Sequence, residues 1–253
     1  MKWINYLKGG VFLLMMCLSA GLIAQDALSI IKKAEEIRRG IESSQAEMTM
    51  TIVRPTWTRE MKMKSWSKGD DYALILVTAP VRDKGTTNLK RQKEIWTWLP
   101  RVERTVKLPP SMMSQSWMGS DFTNEDLVRE NSIITDYSHT LLQDSVIDGR
   151  SCYKLQLIPN EDASVIWGKI YLWIDKKDYL QLRTEFYDED MYLINVMQAS
   201  EIKLMGGRTF ATKLEMIPVE EEGQKTVMVY DNIIFDKKLP DSFFSQQNMK
   251  RVR

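Results

Sequence analysis

Histidine is almost absent from this sequence: His139 is the only one among 253 residues. A histidine-based metal site or a His-dependent catalytic triad therefore has almost nothing to build on. Cysteine is equally scarce. Of Cys17 and Cys152, the first lies in a leader expected to be removed, so no intrachain disulfide is expected and the fold must hold by burial. Cys152 opens the alternating run Cys152 to Ile158, which predicts a thiol buried in a sheet. No phosphate-cradling glycine loop and no nucleophile elbow occurs. Neither sign of charge is in excess, with 35 basic against 34 acidic side chains, so nothing draws the chain to nucleic acid.

Carboxylates are plentiful but fall where turns and caps explain them. Glu185, Asp188, Glu189 and Asp190 surround an expected hairpin turn, and Glu220 to Glu222 occupy another. Asp121, Glu125 and Asp126 lack the central glycine and closing glutamate of a calcium loop. No catalytic residue, metal ligand or cofactor is expected. A hydrolase would require carboxylates dispersed in sequence to meet in space.

The N-terminus reads as a cleavable signal peptide over residues 1–24. Lys2 and Lys8 supply its charge, Val11 to Ala24 is mostly apolar, and cleavage after Ala24 leaves Gln25 first. Met16 stands where a lipobox needs a small residue, so Cys17 is not read as a lipid attachment site. No later run is long enough to cross a bilayer. Residues 25–253 are expected to form one soluble domain beyond the inner membrane.

Asp26 to Arg39 has helical spacing of Ala27, Leu28, Ile31, Ala34 and Ile37, with the charged side chains elsewhere and Gly40 past the end. The period then drops to two. Ala46, Met48, Met50 and Ile52 share one face, and about ten similar segments follow. Their separators, among them Asp148-Gly149 and Gly206-Gly207, are hairpin turns. The expected fold is mainly β with a few helices, built on a large, curved antiparallel sheet. Pro109 to Tyr137 breaks the rhythm. Within it, Thr123 and Asp126 are placed to cap a helix start, with Phe122 and Leu127 as its staple.

Soft apolar side chains are abundant, with 16 methionines and eight tryptophans. Met48 with Met50, Met61 with Met63, and Trp96 with Trp98 each share a strand face. Met112, Met113, Trp117, Met118 and Phe122 crowd the irregular section as a lid. These eleven are the candidate lipid-binding residues, because methionine suits varied apolar partners and apolar loops mark binding surfaces. Between Arg82 and Lys107 basic residues outnumber acidic ones. Arg101 and Arg104 are the candidates for contact with a head group or partner, Arg104 sharing a strand side with Val102, Val106 and Leu108.

Trp96-Thr-Trp-Leu-Pro100 with Arg101 and Arg104, and then Met118-Gly-Ser-Asp-Phe-Thr-Asn-Glu-Asp-Leu127, resemble the outer-membrane lipoprotein-sorting family of LolA-like proteins. Leu172-Trp-Ile-Asp175, Leu182-Arg183, Phe186-Tyr-Asp188 and Leu239-Pro-Asp-Ser-Phe-Phe244 extend the resemblance over most of the chain. Two positions depart from the pattern: Gln181 stands for a proline and Met191 for a glycine. The resemblance implies a curved antiparallel incomplete β-barrel closed by helices around a hydrophobic cavity. It also implies a periplasmic carrier that shields lipid or lipoprotein acyl chains, with an inner-membrane transporter as donor and an outer-membrane acceptor. A different reading keeps the fold but makes the protein a sensor or accessory subunit regulating an inner-membrane transporter or signalling protein.

Overall fold

Alternation with period two writes most of this chain into strands, and the turns between them set their order. A computed structural model of the protein describes residues 27–40, 42–69, 71–92, 94–126, 132–163 and 165–253. The leader read as a signal peptide, and the staple partner Leu127, lie outside the described residues. A helix, α1 over 27–39, precedes β1 (Ser43–Arg54), β2 (Trp57–Lys68), β3 (Tyr72–Ala79), β4 (Thr87–Arg91), β5 (Glu94–Leu99) and β6 (Arg104–Lys107). After the irregular section come α2 (Ser132–Thr135), β7 (Tyr137–Leu141), β8 (Ser145–Ile147) and β9 (Arg150–Pro159). The rest is β10 (Lys169–Asp175), β11 (Gln181–Tyr187), β12 (Leu193–Met205), β13 (Arg208–Pro218), β14 (Lys225–Phe235) and α3 (Gln246–Met249).

All the strands join one antiparallel sheet, in the order β6-β5-β4-β3-β2-β1-β14-β13-β12-β11-β10-β9-β7, with β8 also on β9. The first and last long strands pair centrally, Met50 opposite Met228, while β6 and β7 end the path unjoined. The sheet is therefore an incomplete barrel. Register shifts in the β1–β14, β2–β3, β10–β11 and β11–β12 pairs add the twist that curves it. Asp148-Gly149 and Gly206-Gly207 each close a two-residue hairpin with positive φ at both positions, as a type I′ turn requires.

The inner face holds the core. Ala46, Met48, Met50 and Ile52 pack with Met61, Met63, Leu155, Leu157, Leu172 and Met216, covered by Ala27, Ile30, Ile31 and Ala34 of α1. The outer face of β2–β5 is not left wet. The C-terminal segment folds back on it, burying Phe244 and Met249 against Leu74, Leu89 and Trp96, with Trp66 facing Phe243 at 5.4 Å.

Four expectations need correction. β4 and β7 are strands where none was expected. Residues 100–102 form a 3-10 turn, so the expected strand over 101–108 starts at Arg104 and Arg101 sits on its tip. Finally, Glu35 is not on the wet face of α1. It is 3% exposed, held by Arg38 Nη2 at 2.6 Å and Arg39 Nε at 3.0 Å.

Candidate functional site

Curvature leaves space between the inner face and what covers it. A cavity of about 180 Å³ runs under α1 and the irregular section. Its apolar walls are Ile170, Leu172, Phe186, Met197, Leu214, Met216 and Met228 from β10 to β14, with Trp167 before β10 and Phe122 from the cover. Trp167 lies against Phe186 with ring centroids 5.0 Å apart. One side of the cavity is polar, formed by Glu35, Arg38, Glu125, Asp126, Gln181 and Thr184. A second cavity of about 100 Å³ lies beside it and shares Arg38, Met228 and Tyr230; Met48, Met63, Ile75, Trp117 and Ile233 are among its other apolar lining residues.

The cover is fastened rather than loose. Trp117 N–H donates to the Phe122 carbonyl at 2.8 Å, closing a loop in which Met118 and Gly119 have φ of 52° and 80°. Arg59 Nη2 donates to the Met118 carbonyl at 2.9 Å, and Arg54 Nη2 to the Gly119 carbonyl at 3.0 Å. Arg54 also pairs with Asp121 at 3.0 Å, and Asp121 accepts from the Thr226 hydroxyl at 2.7 Å. Next in the chain, Thr123 N–H donates to Asp126 Oδ2 and Asp126 N–H to Thr123 Oγ1, the reciprocal capping pattern expected from sequence. Burial pushes the Asp126 carboxyl above its usual range, against the lowering effect of its bonds to Thr123.

The expected binding residues divide into five groups. Met48, Met63, Trp117 and Phe122 line the two cavities. Met50 and Met61 sit in the core on the same face with no exposed surface. Met113 packs on Ile95 and Leu108, Met118 packs against the core, and Met112 is half-buried, so the section expected as an exposed apolar lid is largely packed down. Trp96 and Trp98 point away from the cavity. They lie under the C-terminal segment, where Lys250 Nζ stands 5.1 Å from the Trp98 ring centre. Arg101 and Arg104 are exposed at the β5–β6 tip and line neither cavity.

Sequence reasoning missed the richer wall, from Trp167 to Met228. The signal was present as alternation, Leu214 with Met216 and Met228 with Tyr230, but nothing local separates a lining position from a packed one. The expectation of a thiol buried in the sheet is met. Cys152 is fully buried beside Trp173, Leu180 and Leu182, and burial raises its thiol pKa. His139 lies on β7 with Nε2 2.5 Å from the Ile133 carbonyl. Among the described residues no group of three His, Cys, Asp or Glu side chains is placed to hold a metal ion, and no helix is long and apolar enough to cross a membrane.

The open, curved antiparallel sheet is the feature this chain shares with solved LolA-like structures. A family model described as "Uncharacterized protein" matches residues 69–251, and the chain belongs to the family it describes. Among solved structures, it is similar to the LolA superfamily protein NE2245 from Nitrosomonas europaea, with 26% identity and a TM-score of 0.75 over 87% of this chain and 98% of that one. An outer membrane lipoprotein-sorting protein domain from Vibrio parahaemolyticus is 24% identical, with a TM-score of 0.79 over 90% and 100% of the two chains. A DUF1329 family protein from Desulfovibrio piger is 23% identical, with a TM-score of 0.82 over 90% and 99%. No curated protein matches the sequence significantly.

Proposed function

We propose that the protein is a non-catalytic periplasmic carrier that takes lipid, or the acyl chains of lipoproteins, into the inner-face cavity for transfer towards the outer membrane. In this reading residues 1–24 are the export signal and residues 25–253 the single carrier domain. An inner-membrane transporter is the donor and an outer-membrane component the acceptor. The observation that carries the reading is the cavity itself: aromatic and methionine walls, one polar side, and a cover held by a few arginine contacts. Methionine walls adapt to chains of varied shape, and apolar burial requires no chemistry of the cargo beyond an acyl chain. The Vibrio parahaemolyticus relative, described as a lipoprotein-sorting domain, points the same way.

Met48, Met63, Trp117 and Phe122 contact the chain in this proposal, joined by Trp167, Phe186, Met197, Leu214, Met216 and Met228. Native mass spectrometry of the purified protein, with organic extraction of whatever accompanies it, tests this directly. A co-purifying lipid, or saturable uptake of a fluorescent fatty acid or lipidated peptide, is the expected result. Protein that emerges empty and takes up neither probe overturns the reading.

A further inference from the structure

The basic turns singled out in the sequence take no part in the cavity, yet they form one structure. Residues 80–86 between β3 and β4 and residues 99–104, the turn between β5 and β6 with its flanking strand ends, meet at one end of the sheet: a Cβ on Gly85 would stand 3.3 Å from Pro100 Cγ. The first turn is fixed by its own backbone. Asp83 and Lys84 N–H donate to the Pro80 carbonyl at 3.0 and 2.9 Å, and Gly85 N–H donates to the Val77 carbonyl at 2.8 Å. That rigid turn holds Val81 in solvent at 91% exposure, and the second turn holds Val102 at 66%, with Leu99 beside it. Around them Arg82, Lys84, Arg101 and Arg104 are all exposed, and among the described residues none of the four forms an ion pair. Asp83 and Glu103 are the acids of the two turns, so cations exceed them by four to two.

Projecting apolar tips ringed by unpaired cations complement a surface that is negative outside and apolar just beneath. We propose that these two turns dock the protein on an anionic lipid bilayer. The valines enter the boundary between head groups and acyl chains, and the four cations meet lipid phosphates. A folded protein partner fits less well. The tips are convex, and three apolar side chains cover far less than the roughly 800 Å² per partner of a stable protein interface. A bilayer needs no matching concavity. The turn joining β1 to β2, where Arg54 fastens the cavity cover, lies at the same end of the sheet, so docking brings that fastening towards the membrane. Docking goes beyond the carrier reading and does not depend on what the cavity holds.

Sedimentation of the purified protein with vesicles tests the proposal, comparing phosphatidylcholine alone with an equal mixture of phosphatidylcholine and phosphatidylglycerol. The expected result is binding to the anionic vesicles at low salt and release at high salt. Arg101→Glu combined with Arg104→Glu should weaken binding about tenfold or more, and Val81→Asp combined with Val102→Asp should weaken it comparably. All four side chains are exposed, so thermal stability and fatty-acid uptake should stay as in the parent, which separates docking from cargo binding. Equal affinity for both vesicle types, or variants that bind as the parent does, overturns the proposal. Capture of an acidic protein through these arginines without vesicle binding also overturns it.

Discussion

Met191 shows how much one residue can reveal. The family pattern has glycine in its turn, and the structure places Met191 at φ 67°, where a side chain is strained. Met191→Gly should therefore stabilise the protein by about 0.5–1 kcal/mol, the relief of strain exceeding the extra entropy glycine loses on folding. Equilibrium urea unfolding measures it, and a destabilised variant would refute it. Asp126 makes a prediction of the opposite character, one about pH. Its folded-state pKa is raised from 3.8 by burial beside the cavity. The unfolded chain ionises first, so the folded state holds more protons as pH rises through the interval between the two values. The favourable contribution is complete below 3.8, is lost across that interval, and leaves stability lower above it. Asp126→Asn removes the ionisation, so the variant's unfolding free energy should lack this fall with pH. A titration of stability in which variant and parent run parallel would show that Asp126 is not the responsible group.

The cover, residues 113–126, depends on the Arg54–Asp121 pair more than on its own regularity. Both side chains are largely buried, at 14% and 10% exposure, so Arg54→Ala leaves a carboxylate without its cation and should cost about 1–3 kcal/mol. The expected signature is local: faster amide hydrogen exchange over 113–126, with protection of β1 and β14 nearly unchanged, and faster release of bound probe. Uniform loss of protection would mean the pair stabilises the whole sheet instead. Elements of this kind were only half legible in the sequence. The capping exchange between Thr123 and Asp126 could be read because it is local, as could the glycine hairpins. Residues 101–103 read as strand because alternation continues through Val102, whereas the Pro100-initiated 3-10 turn breaks the pairing. β4 escaped because Lys90 and Arg91 mask a five-residue strand in which Thr87 and Leu89 are the buried positions. β7 escaped because its pairing with β9 is set by residues far along the chain. Trp96 and Trp98 were placed on the wrong face for a related reason. Alternation shows that two residues share a face but not which face the C-terminal segment will cover.

At the scale of the molecule the question is capacity. The main cavity, about 180 Å³, has the volume of about six waters at roughly 30 Å³ each, and holds a comparable number of methylenes. At about 0.8 kcal/mol for each methylene buried, that contributes roughly 5 kcal/mol, a dissociation constant near 0.2 mM. Tighter holding of a long chain requires more room, and the neighbouring cavity of about 100 Å³ supplies it across a wall to which Met228 belongs. Substitutions at Met228 should thus uncouple affinity from stability. Met228→Ala deletes a buried side chain, costing about 2–5 kcal/mol of stability, but it joins the cavities and should tighten binding of a long-chain fatty acid relative to a short one. Met228→Trp fills the shared wall and should lower uptake of the long chain at least about tenfold, at a smaller cost of about 1–3 kcal/mol in stability. Calorimetric titration of both variants with fatty acids of two lengths, alongside their thermal unfolding, reads the two quantities separately. A residue that only packs the core would weaken binding in both variants in proportion to lost stability. The divergence between them is the mark of a wall between two halves of one binding site.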